Sequence, residues 1–153
     1  MFHRQNLNVR DPRTVDELPW LLFQIGDRRQ LKLCLRKVEV FVNLFARGRT
    51  SELLRFWSVV VGANDKVNAL SITYLKELKK AADKAEMGGV DDTTMSLTRV
   101  AAIYEALGRF FRCMAFFDHA LRPLERALEL RESIDPDSAE VGEYYIHGSH
   151  KLD

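Results

Sequence analysis

Between Tyr104 and Ala127, large and small residues follow a register that two helices packed against each other satisfy. Tyr104, Leu107, Gly108 and Phe111 stand at i, i+3, i+4 and i+7, one face of a helix. Nine residues past Phe111 comes Ala120, followed by Leu124 and Ala127 at i+4 and i+7. Gly108, Ala115 and Ala120 are small where the two helices would approach closely. Tyr104, Leu107, Phe111, Leu124 and Ala127 would fill the space between them, and Phe110, Phe116 and Phe117 read as core. The turn falls around Ala115 to Asp118, with Asp118 as the cap of the second helix.

The rest of the chain also reads as helix. Strand-like alternation is almost absent, and in the β-branched stretch from Val38 to Val42 the residues Val38, Phe41, Val42 and Phe45 fit helical spacing better than a period of two. The fold class is therefore all-α. Thr14 with Glu17 three residues on reads as a capping box, with Pro19 near the first turn and Gly26 ending that helix. Asp27 with Gln30 opens a second helix through Leu31, Cys34 and Leu35. Arg47-Gly48 closes a third. Ser51 caps a fourth that ends at Gly62. These short helices, apolar on more than one side, should bury one another in a bundle. Residues 64–86 then make a longer amphipathic helix with a stripe of Val67, Leu70, Tyr74, Leu78, Ala81 and Ala85. Gly88-Gly89 and Asp91-Asp92 mark a linker.

Composition excludes several functions. The 153 residues carry 46% hydrophobic content, enough for a real core. The formal net charge is only +1, so no global field draws the chain to nucleic acid. Clusters such as Arg28-Arg29 and Lys79-Lys80 read as solvated faces. The longest mainly apolar run, Phe56 to Val61, is too short to span a bilayer. Cys34 and Cys113, far apart and within apolar helical patterns, read as buried thiols of a reducing, cytoplasmic compartment. Metal, nucleotide and hydrolase motifs are absent. His147-x-x-His150 stands in a polar tail, Asp91-Asp92 reads as a cap or solvated loop, and His119 reads as a first-turn helix residue. No catalytic residue, cofactor or metal ligand is expected.

The spacing from Tyr104 to Ala127 matches the tetratricopeptide repeat. The expected organisation is a flexible N-terminus over 1–13, a helical bundle over 14–87, a linker over 88–93, the repeat over 94–134, and an incomplete second repeat with tail over 135–153. Glu17-Leu18-Pro19-Trp20, Glu52-Leu53-Leu54-Arg55-Phe56-Trp57, Leu107-Gly108-Arg109-Phe110, the run from Arg122 to Glu132 and Asp135-Pro136-Asp137 occur in one order. Over about residues 14–141 the chain thereby resembles the nephrocystin-3 family, at the end of its helical region running into its first tetratricopeptide repeat. The Arg122–Glu132 run alone also resembles kinesin light chain repeats, and Glu-Leu-Pro-Trp separates the two. The resemblance implies a primary-cilium scaffold that associates with inversin and related nephrocystins. The chain lacks the family's Walker A sequence, myristoylation signal, coiled coil and long repeat array, and reads Asp137-Ser138-Ala139 where the family has Asp-His-Pro. It is therefore expected to be a shortened form.

The function expected is a non-enzymatic protein-interaction scaffold. The alternatives are a structural remnant of a larger NTPase-repeat protein without its own ligand, or a repeat adaptor like that of kinesin light chains. Glu105, Arg109 and Arg112 fall at i, i+4 and i+7 on one face of the first repeat helix, where two arginines can grip a partner's carboxylate. One repeat does not bury its own faces. Tyr144, Tyr145 and Ile146 are expected to form a marginal terminal helix over Leu121, Leu124 and Leu128, and its release would permit self-association through the C-terminal face.

Overall fold

The computed structural model describes residues 12–88 and 94–134. These form seven helices, and no strand occurs among them: α1 (Pro12–Ile25), α2 (Arg28–Leu35), α3 (Val38–Ala46), α4 (Thr50–Val61), α5 (Lys66–Glu86), α6 (Leu97–Cys113) and α7 (Phe117–Ile134). The chain divides into two compact units, Met1–Glu77 and Leu78–Asp153. The dividing line thus falls within α5. The linker expected over 88–93 lies, apart from Gly88, outside the described residues, as do Asp91-Asp92, His147, His150 and the expected terminal helix.

Punctuation residues set the short helices of the first unit. Gly26 ends α1 at φ +75°, a conformation that costs glycine little. Its N–H donates to the Phe23 carbonyl, and the Asp27 N–H donates to that of Leu22, which satisfies two carbonyls at the helix end. The Asp27 carboxylate then accepts from the Gln30 N–H at 3.1 Å and starts α2. Two expected starts are displaced. Helix α1 begins at Pro12, ahead of Thr14, because proline suits the first helical position. Pro19 therefore stands in mid-helix, where it removes one backbone donor. Helix α4 begins at Thr50, before the expected cap Ser51. Arg49 precedes it and pairs with Glu52 at 2.6 Å, which places an acid in the first turn where the helix dipole favours it.

Aromatic packing fills the core of this unit. Phe41, Trp57 and Tyr74 are all buried. Phe41 and Tyr74 lie 5.3 Å apart by ring centroids, and Trp57 meets Tyr74 edge-on at 5.8 Å, an arrangement that suits the ring quadrupoles. The indole Nε1–H of Trp57 donates to the Tyr74 hydroxyl at 3.3 Å, so the buried polar tips satisfy each other. Burial pushes the Tyr74 phenol well above its ordinary range. The buried row of α5 advances by fours, through Leu70, Tyr74, Leu78 and Ala82. Ala81 and Ala85, expected on that row, are only half-buried.

The second unit holds the α6–α7 hairpin. The Ser96 hydroxyl accepts from the Arg99 N–H at 3.2 Å and caps α6. A Cβ added at Gly108 would stand 2.6 Å from Leu124 Cδ2 and 3.3 Å from the Ala120 carbonyl oxygen. That is the close approach expected from the spacing. Leu107, Phe110 and Phe111 are fully buried, with Tyr104, Ala120, Ala127 and Leu130 nearly so. Phe117, expected in the core, is 65% exposed, because α7 begins there and turns that position outward. Asp118 stands inside the first turn of α7 and does not precede the helix as a cap.

Ala115 also differs from expectation. It is exposed and stands in the turn with φ +61°. Its N–H donates to the Arg112 carbonyl, and the Phe116 N–H donates to that of Phe111 at 2.7 Å. This is the helix ending usually built on glycine, and an L-residue held there costs about 1–2 kcal/mol. Ala115 is exposed, so its methyl contributes no buried contact to offset that cost. Ala115→Gly should therefore raise stability by roughly 1 kcal/mol, read as a higher urea midpoint at unchanged slope.

Candidate functional site

The candidate surface is the face of α6 that carries Glu105, Arg109 and Arg112. One turn and two turns of helix separate them, so all three start within about 60° of each other around the axis. The hairpin sorts them differently. Glu105 is half-buried and is bound by Arg131 of α7 through a charge-assisted hydrogen bond. Arg109 and Arg112 are exposed, and neither has an ion-pair partner among the described residues. Glu105 therefore joins the helices of the hairpin, while the two arginines are left facing solvent.

A second polar link lies beside the first. The Tyr104 hydroxyl is hydrogen-bonded to Arg126, which is held in turn by Glu129 at 3.0 Å. Burial raises the Tyr104 pKa, the Arg126 charge and hydrogen bond lower it, and the Asp83 carboxylate raises it. The Glu129 hydrogen bond is the largest cause raising that of Arg126. Asp83 belongs to the last turns of α5. The pair Arg126–Glu129 is local to α7, three residues apart. The cross-helix partners were not legible in the sequence, because they depend on how α7 is rotated against α6.

Other polar residues serve packing. His119 stands in the first turn of α7, with its ring 5.5 Å from that of Phe111. No group of three or more His, Cys, Asp or Glu side chains among the described residues is placed to hold a metal. No helix among them is long and apolar enough to cross a membrane.

Comparison with known proteins decides the family. The model of the nephrocystin-3 TPR domain matches residues 2–152. The chain belongs to this family. It is 38% identical over 132 residues to nephrocystin-3 of Homo sapiens, covering 86% of this chain and 9% of that protein. Against nephrocystin-3 of Xenopus laevis it is 36% identical over 134 residues, 86% of this chain and 10% of the relative. Against that of Mus musculus it is 36% identical over 132 residues, again 86% of this chain and 9% of the relative. The chain thus spans about a tenth of the length of these relatives. No solved structure matches it. The match to the nephrocystin-3 TPR domain makes the chain a protein-interaction repeat segment.

The two cysteines stand in contrasting places. Cys34 is buried, as expected, and desolvation raises its thiol pKa to about 11. Cys113, expected to be buried, is exposed as the last residue of α6, next to Arg112. In the native chain at pH 8, iodoacetamide should modify Cys113 while Cys34 stays protonated and unreacted. Peptide mass spectrometry checks this, and Cys34 should react only after denaturation.

Proposed function

We propose that the chain is a non-enzymatic protein-interaction scaffold of the primary cilium, and that α6 presents Arg109 and Arg112 to a carboxylate of a partner peptide. One observation carries the site. Two arginines lie exposed on one helical face with no ion-pair partner among the described residues, while the acid between them and the helix start is occupied by Arg131. A guanidinium offers a planar fork of donors that matches a carboxylate, and two of them one turn apart take two acidic groups or one terminal carboxylate from both sides. Glu105 supports the site by fixing α6 against α7. The cilium and inversin-type partners follow from kinship with nephrocystin-3.

The test is a double Arg109→Ala, Arg112→Ala variant, measured against inversin and against acidic peptides with a free C-terminus. Both positions are exposed, so the helical circular dichroism and melting curve should stay unchanged. Affinity should fall by at least about ten-fold, and the wild-type affinity should weaken as salt is raised. A folded double variant that binds every partner with full affinity removes the site.

A further inference from the structure

The formal charge sums to only +1, but it is unevenly placed. Residues 1–77 carry thirteen Lys and Arg against eight Asp and Glu, and residues 78–153 carry ten against fourteen. Within the first unit, Asp27 is the one acid between Glu17 and Glu39, a stretch that holds Arg28, Arg29, Lys32, Arg36 and Lys37. Asp27 is engaged as the N-cap of α2, where its carboxylate accepts from the Gln30 N–H.

Helix α2 sorts this stretch onto two sides. Leu31, Cys34 and Leu35 are buried. Arg29, Lys32, Leu33 and Arg36 stand at i, i+3, i+4 and i+7, within about 100° around the axis. All four are exposed, and so is Arg28 beside them. None of the cations Arg28, Arg29, Lys32 and Arg36 has an ion-pair partner among the described residues. Other arginines of the unit are engaged: Arg49 pairs with Glu52, and the Arg55 guanidinium lies over the Phe23 ring. Like charges one helical turn apart repel, so an anionic surface that discharges this face is bound favourably.

Apolar side chains stand among the cations and select the occupant. Leu33, 46% exposed, lies within the basic face. Ile25, 63% exposed, ends α1 three residues before Arg28, at most about 11 Å along the chain. An acidic polypeptide meets the cations but leaves Leu33 and Ile25 in water. An anionic bilayer places its charged headgroups directly above hydrocarbon. Long cationic side chains stay at the headgroup level there, while leucine and isoleucine enter below them.

We propose that the outer face of α2, with the end of α1, binds peripherally to an anionic lipid bilayer. Arg28, Arg29, Lys32 and Arg36 meet the negative headgroups, and Leu33 and Ile25 supply the apolar contact. The contact is reversible and screened by salt. This surface belongs to the other unit from Arg109 and Arg112, so either site can fail without the other.

The test uses the full chain in vesicle flotation, with vesicles of phosphatidylcholine alone or with about a third of phosphatidylserine. The chain should bind the anionic vesicles at least about ten-fold more tightly than the neutral ones, and raised salt should release it. An Arg29→Glu, Arg36→Glu variant should lose the anionic vesicles. An Ile25→Ser, Leu33→Ser variant, unchanged in charge, should bind them about ten-fold more weakly. The Arg109→Ala, Arg112→Ala variant should bind them as the parent chain does. All substituted positions are exposed, and circular dichroism melting checks that each variant is folded. Equal binding of the two vesicles, or parent-like binding by either α2 variant, overturns the proposal. So does loss of the vesicles by the Arg109→Ala, Arg112→Ala variant, which assigns the binding to α6. Binding of polyglutamate through Arg29 and Arg36 by a chain that ignores both vesicles also overturns it, since that assigns the face to an acidic polypeptide.

Discussion

Helices α6 and α7 lie as close as they do because position 108 has no side chain. A methyl there would collide with Leu124 and press on the Ala120 carbonyl. The absence of one carbon lets Leu107, Phe110 and Phe111 enter the same layer as Ala120 and Ala127 and leave water together. The polar links Glu105–Arg131 and Tyr104–Arg126 span the hairpin beside this layer. They form only at this rotation of the two helices, which in turn decides what faces outward. Arg109 and Arg112 are left on one surface, and the stripe from Phe117 to Leu128 on another.

The first unit solves a different problem. Its helices α2 and α3 are short, eight and nine residues, below the length at which a helix persists alone in water. They depend on capping and on a dense core. Glycines at positive φ close α1 and α3, and Asp27 opens α2. Phe41, Trp57 and Tyr74 supply large buried area with a matched hydrogen bond at its centre. Around Phe23, Trp20 stacks on one ring face at 5.7 Å, and the Arg55 guanidinium lies 5.0 Å from the ring centroid.

Much of this was legible because some residues admit one local role. Gly26 and Gly48 ended helices and Asp27 capped one, since glycine and aspartate tolerate those positions better than other residues do. Gly108 was legible because a large–small register over two helices has few other causes. Helix starts were less so. Pro12 competes with Thr14, and Arg49 ahead of Thr50 competes with Ser51, and the winning start depends on small differences in capping energy. Ala115 was misread as a packing residue because a positive φ is usually signalled by glycine. Cys113 and Phe117 were misread because each stands at a helix end, where one residue of shift turns a buried position outward. The binding face was legible only in part. Spacing put Glu105 with Arg109 and Arg112, but Arg131 reaches Glu105 from a residue 26 positions away, which no local pattern reports.

The central claim is that contact between position 108 and Leu124 sets the hairpin, and a double-mutant cycle measures it directly. Gly108→Ala should cost about 1–3 kcal/mol through overpacking, although the same change at an exposed helix position would stabilise. In a background of Leu124→Ala the obstructing side chain is gone, and much of that cost should vanish. Urea unfolding of the four proteins should give a coupling energy of at least ~1 kcal/mol. A coupling near zero, or a Gly108→Ala variant more stable than the parent chain, would contradict the account.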